Sequence, residues 1–360
     1  MPIKFNKTLR KKDNGWQVII SYKTSTSKWR QKSKQGFEEK WIAKNYGDDL
    51  IEQIKKEADL NTDYKGITLE EFTEIYKADN RDRLTYNTLQ ATKYAVKALG
   101  NVRFKSIEEI TLLDINKKFR ESKLSTSTKN LYIRLLKIIF KYAVSPYKII
   151  AHSPLNAVKE HKEKKNITQH ISSKVYTANE IESLFTGLKN KKKKEYYYQC
   201  CLAYYCGLRY GEIVGLSWLD INFNEKTLSV SRQVARTSTK KYSLTAPKTA
   251  GSIRTIPMPP KLIETLLEYK KIAPQNDKQL LFLRNSSTNF VNAYIHTIIK
   301  DKNFHDLRHT YATTLLANGV DIKTVAALLG DTVQTVINNY IHYTEEMRKK
   351  AAIDVANIFK

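Results

Sequence analysis

The stretch VKEHKEKKNITQHISSK at 158–174 sets the first limit on what this chain can fold into. It is dense in charge, serine and threonine and poor in apolar residues, so it cannot run through a packed core. A linker over 159–174 follows, and the chain must build its cores separately on either side of it. At 360 residues there is room for two or three such domains. Beyond the linker, VYTANEIESLF (175–185) opens a new periodic segment, with Thr177 as N-cap and Glu180 three residues on.

Ahead of the linker the pattern changes once more, near residue 60. Residues 1–60 carry Lys11, Lys12, Lys28, Arg30, Lys32 and Lys34 among other cations, with Asp13 the one opposing charge between Lys4 and Lys34. Trp16, Val18 and Ile20 alternate at period two and Trp29 stands in a second short run, which predicts a hairpin or a three-stranded sheet. Residues 36–57 then take helical spacing through Phe37, Trp41, Ile51 and Ile54. Such a basic sheet can enter a DNA groove, or it can be a solvated leader. Charge on strand and turn positions with aromatics alongside favours DNA.

Residues 61–158 read as helical. Thr68 and Glu71 form a capping box, a second helix spans about 84–98 and ends at Gly100, and Thr111 begins a third. The fourth, STKNLYIRLLKIIFKYAV, sets Leu131, Leu135, Ile138, Ile139 and Tyr142 on one face, with Lys129, Arg134, Lys137 and Lys141 elsewhere. From this pattern alone, a bundle with a solvated basic face and a bundle gripping a duplex through Lys129 and Arg134 are equally good.

Charge identifies the class of partner. Lys and Arg number 62 against 36 Asp and Glu, a net +26, which calls for a polyanion. A membrane surface is the rival to nucleic acid. However, there is no run of about 18 apolar residues and no leader pattern at the start. Cys200, Cys201 and Cys206 share one apolar segment without histidine at ligand spacing, so buried thiols in a reducing cytosol are expected and a metal is not. The lysine run 191–194 reads as a solvated turn.

Four local frames hold the chemistry: CGLRYGEI (206–213), APKTAGSIRTIPM (246–258), HDLRHTYAT (305–313) and LLGDTVQTVINNYIHY (328–343). In order they contain Arg209, Lys248, His305, Arg308 and Tyr340. Two arginines can clamp non-bridging phosphate oxygens bidentately, a lysine and a histidine can deliver or accept protons, and a tyrosine can hold a phosphoryl group covalently. Glu212, a turn beyond Arg209, can orient it. Strands are expected in TLSVSRQVAR and SLTAPKTAGSIRTIPM, with Lys248 on the second or in its following turn, Lys240 and Lys241 in the exposed turn, and Arg254 structural or on backbone phosphate. Asp306 is expected to cap its helix, and His309 is a core histidine or an auxiliary phosphate donor.

This ordered set resembles the tyrosine recombinase (phage integrase) family over most of the chain. The resemblance implies a mixed, mainly α protein: a small basic β-sheet plus helix as arm-binding domain (1–60), a helical core-binding domain (61–158) and an α+β catalytic domain (175–360). It implies that Tyr340 forms a 3′-phosphotyrosine, that Lys248 protonates the leaving 5′ oxygen, and that no cofactor or metal is needed. Partners so implied are double-stranded DNA attachment sites and a homo-tetramer holding a four-way junction. An excisionase and a host DNA-bending protein are accessory partners, all in the cytoplasm at a bacterial nucleoid, for integration and excision of a phage or integrative element. Two other readings stay open, a type IB topoisomerase-like enzyme and a non-catalytic, degenerate DNA-binding integrase.

One position departs from the family. The residue after Gly330 is usually histidine or tryptophan, followed by the nucleophile at the spacing that here separates Asp331 from Tyr340, with Tyr343 the rival. An ionised carboxylate cannot donate to phosphate and repels it. Asp331 is expected to turn away onto a neighbouring cation or backbone amide; otherwise it marks lost activity. The tail, with Met347, Ala351, Val355 and Ile358 at helical spacing, is expected to dock on a neighbouring protomer or at home.

Overall fold

Three antiparallel strands, β1 (Phe5–Lys12), β2 (Gly15–Lys23) and β3 (Trp29–Phe37), pair in the order β1-β2-β3. This is the three-stranded form of the two expected. In the computed structural model the described residues are 5–23, 29–58, 60–158, 160, 174–239, 241–247, 250–283 and 287–340. The chain divides into two compact units, Met1–Glu163 and Lys164–Lys360.

Period-two alternation puts Val18, Ile20 and Tyr22 of β2 on one face, where they meet Ala43, Leu50 and Ile54 of α1 (Lys40–Ala58). Register then sorts the basic residues. Lys11 stands opposite Trp16, Arg30 opposite Tyr22, Lys32 opposite Ile20 and Lys34 opposite Val18, so these four share the α1 side of the sheet. The ammonium of Lys34 lies 4.6 Å from the ring centre of Tyr46 on α1. Lys12 falls on the other side with Arg10. Lys28 lies outside the described residues. The expected helical face is corrected here: Phe37 ends β3, and Trp41 is exposed with its indole N–H donating to Glu39 at 2.6 Å. Ile54 is buried and Ile51 packs against the same cluster, as expected, with Ala43 and Leu50 completing the face of a helix that starts at Lys40.

The helices that follow keep their own apolar cluster. The expected capping box at Thr68–Glu71 starts α2 (Leu69–Asp79), and Thr111 starts α4 (Leu112–Glu121) as expected, there closing a further box with Asp114. Between them α3 (Tyr86–Lys97) starts from Thr85, and Gly100 opens a short 3-10 turn. α5 (Thr126–Val144) buries Ile133, Leu135, Leu136, Ile139, Phe140 and Ala143, whereas Leu131 and Ile138 are exposed. The predicted face was therefore turned too far. α5 is apolar over most of its circumference, so spacing alone does not say which side the neighbours cover. Tyr142 and Tyr147 both donate to Asp79, at 3.0 and 2.7 Å, tying the end of α5 to α2. Lys129 is half-buried, and Arg134 is exposed with its Nε 3.8 Å from Glu160.

The second unit forms around α7 (Glu195–Cys206), buried on nearly every side by α6 (Ala178–Lys189), α9 (Pro260–Ile272) and α11 (Phe304–Ala317). Cys200, Cys201 and Cys206 are buried free thiols in it, and burial pushes Cys201 and Cys206 up to about 12, so both are unreactive. Strands β4 (Ile221–Asn222), β5 (Thr227–Val230) and β8 (Arg254–Pro257) form one sheet, and β6 (Gln233–Arg236) pairs with β7 (Tyr242–Thr245) as a hairpin. The remaining elements are α8 (Tyr210–Ile213), α10 (Thr288–His296), α12 (Ile322–Leu329) and α13 (Val333–Tyr340). Lys240, Lys248 and the tail 341–360, with Tyr343, lie outside the described residues.

Candidate active site

The site begins where α7 stops. Gly207 takes the left-handed conformation (φ 62°), and a Cβ there would stand 2.4 Å from the Tyr311 ring, so no other residue fits. The turn places Arg209 at the head of α8, where its backbone N–H donates to Glu212 at 2.8 Å. Glu212 is buried beneath the site. Its Oε1 accepts from Nη1 of Arg209 at 2.9 Å and Nη1 of Arg254 at 3.1 Å, and its Oε2 from Nη2 of Arg254 at 2.9 Å. Burial alone would raise this carboxyl, but the hydrogen bonds and charge of Arg254, joined by Arg209, outweigh it and hold the group below its ordinary range. Glu212 therefore holds the Arg209 side chain and backbone N–H together. Arg254 is the structural residue of its two options, with Nε also donating to Leu328 O at 2.7 Å.

Arg308 rises from the first turns of α11 and is only 1% exposed. Its Nη1 donates to Gly207 O at 2.6 Å, and its Nη2 to Leu329 O at 2.9 Å and Asp331 Oδ2 at 2.5 Å. Nη2 of Arg209 donates to the other oxygen, Oδ1, of the same aspartate. Asp331 is thus corrected: it does not turn away but bridges the two arginines expected to hold phosphate. The cause is local geometry. Gly330 ends α12 in the left-handed conformation (φ 63°), and the Asp331 N–H closes back on Ala326 O at 3.0 Å. The side chain then faces the guanidinium groups of Arg209 and Arg308 and takes one with each oxygen.

His305 sits at the start of α11, three residues before Arg308. Asp306 accepts from the Asn303 N–H at 2.8 Å, so Asn303 is the N-cap and Asp306 its reciprocal partner, a correction to the expected cap. The edge of His305 reaches solvent, but protein around the ring strips part of its hydration. That loss, then His309 and Arg308, bring its pKa down to about 4. At neutral pH the imidazole is uncharged and accepts a proton. His309 is half-buried, its ring set edge-on to His305 at 5.0 Å between centres.

Arg209, Glu212 and Asp331 border a cavity of about 530 Å³, which is also lined by Gln233, Ser252, Thr332 and Thr335. None of those four was foreseen, because they are common polar residues that carry no charge, although Ser252, Thr332 and Thr335 stand within the quoted frames. Pro247, the neighbour of Lys248, lines the same cavity. Tyr340 is the last residue of α13, which starts from Thr332, whose hydroxyl accepts from the Thr335 N–H at 3.1 Å. Among the described residues no His, Cys, Asp and Glu group could hold a metal, and no helix is long and apolar enough to cross a membrane.

Glu212→Gln should destabilise the second unit by about 3 kcal/mol, since it leaves two arginines short of a buried anion. Because the carboxyl is depressed in the folded state, its contribution is present above the unfolded pKa and lost as pH falls through the folded one. Urea unfolding should therefore show a smaller acid sensitivity in the variant than in the parent.

A family model described as the phage integrase family matches residues 174–347, and one described as an arm DNA-binding domain matches 6–54. A protein named tyrosine recombinase XerC-like, from Caldanaerobacter subterraneus subsp. tengcongensis, is 30% identical over 68% of this chain and 69% of its own. The ICEBs1 integrase of Bacillus subtilis (strain 168) is 27% identical over 74% of this chain and 76% of its own. Among solved structures, the Tn1549 transposon integrase in complex with transposon right end DNA aligns with a TM-score of 0.64 at 21% identity, covering 81% of this chain and 100% of that one. The chain belongs to the phage integrase family of tyrosine recombinases and is a site-specific recombinase with an arm DNA-binding domain ahead of its catalytic region.

Proposed function

We propose that this recombinase integrates and excises a mobile DNA element through a 3′-phosphotyrosine on Tyr340. The observation that carries the reading is the convergence of Arg209 and Arg308, from separate elements, on the two oxygens of one anion. A phosphodiester offers the same pair of oxygens. The Tyr340 oxygen attacks phosphorus, its proton passing to neutral His305, while the phosphorus–O5′ bond breaks and Lys248 protonates the departing oxygen. The 5′ hydroxyl of a partner duplex then attacks the phosphotyrosine and frees the tyrosine, so bond energy is conserved. Two such exchanges within a homo-tetramer pass through a four-way junction. The named relatives include a transposon integrase bound to its element's end, which supports an element end as substrate. An excisionase and a host DNA-bending protein would set direction.

Covalent capture tests this. A nicked duplex carrying the element's end should become linked to the protein. The bridging Asp331 favours one other reading, a DNA-binding integrase without catalysis, for which DNA would be bound but never linked.

The basic sheet and α1 serve a second, arm-type site, in a three-domain chain divided at 1–60, 61–158 and 175–360. Deleting residues 1–60 should spare cleavage at a core site and abolish protection of the arm site, whose binding should weaken steeply with salt. Unchanged footprints on all of the attachment DNA would refute this.

A further inference from the structure

The carboxylate of Asp331 carries a charge that opposes the chemistry proposed for this site. Arg209, Arg254 and Arg308 face Glu212 and Asp331, an excess of one positive charge where a doubly charged phosphorane must be held. The two carboxylates are not equivalent. Glu212 is buried and fixed by both Arg254 Nη atoms, by Arg209 and by a backbone N–H. The side chain of Asp331 is 14% exposed and borders the cavity. It belongs to no helix, standing between Gly330, which ends α12, and Thr332, whose hydroxyl caps α13. Its two oxygens take the Nη2 of Arg209 and the Nη2 of Arg308, the same donors a phosphate would need.

We infer that Asp331 is a built-in phosphate surrogate, a positioning residue that keeps Arg209 and Arg308 in clamp geometry until the scissile phosphate displaces it. This rests on the phosphate role proposed above for the two arginines. A carboxylate and a phosphodiester present the same oxygen fork, so the surrogate preorganises the clamp without a ligand. Displacement has a second effect, because the next residue caps the helix that ends at Tyr340. Filling the clamp with phosphate therefore moves the start of the nucleophile's helix, and the tyrosine is brought to bear only on an occupied site.

The test uses the full chain with inorganic phosphate as probe. Asp331→Asn removes the charge at constant shape, and calorimetry should show phosphate binding at least about tenfold tighter than in the parent. In the parent, saturating phosphate should speed hydrogen exchange at residues 332–336, and in the variant it should not. Asp331→Ser must show the same gain in affinity, which guards against a folding defect peculiar to asparagine. Equal or weaker phosphate binding in both variants, or loss of stability with affinity unchanged, overturns the inference. Covalent capture of a nicked duplex is scored separately. A gain in phosphate affinity without capture would leave the surrogate standing and sink the recombination chemistry.

Discussion

Tyr340→Phe abolishes covalent capture of a nicked duplex, a loss of about 10⁴-fold or more, while DNA affinity stays at the parent value. The substitution removes one oxygen and no charge, so the phosphate contacts proposed for Arg209 and Arg308 are untouched. α13 also keeps its start, which depends on Thr332 and Thr335 rather than on its last residue. Tyr343→Phe should capture DNA as the parent does. Gel-shift titration and denaturing electrophoresis on the same samples separate the two properties. Capture by the Tyr340 variant, or its loss in the Tyr343 variant alone, would move the nucleophile.

Much of this architecture was legible because it is written in local chemistry. The boxes at Thr68–Glu71, Thr111–Asp114 and Thr177–Glu180 need only residues three apart, and all three start helices. Arg209 beside Glu212 was readable for the same reason. What failed depended on neighbours distant in the chain. The buried side of α5 is chosen by what packs on it, so Leu131 and Ile138 were misplaced. Asp331 was placed near a cation correctly, but which cations it meets depends on Arg209, more than a hundred residues earlier, and on Arg308. Gln233 reaches the cavity from the β6–β7 hairpin, Ser252 from a 3-10 turn, and Thr332 and Thr335 from the start of α13, an arrangement of distant segments that no spacing rule marks.

Replacing each clamp arginine with lysine should separate chemistry from stability. Arg209→Lys and Arg308→Lys should both slow covalent capture by about 10²–10³-fold, since a point charge cannot reproduce a two-pronged contact with developing oxyanions. Their effects on folding should differ. The Arg209 side chain is 34% exposed and, besides Asp331, bonds Glu212, which keeps Arg254, and at 3.4 Å Gly330 O, so its replacement should cost about 1 kcal/mol or less. Arg308 is sealed inside, where it satisfies the carbonyls of Gly207 and Leu329, ends of two different helices. A lysine ammonium cannot span both, and the carbonyl left behind has no access to water, so about 3 kcal/mol should be lost. Urea unfolding of both variants, set beside single-turnover capture rates, gives the comparison. Equal destabilisation would mean that Arg308 is no more structural than Arg209, and parent-like capture by either would place the phosphate elsewhere.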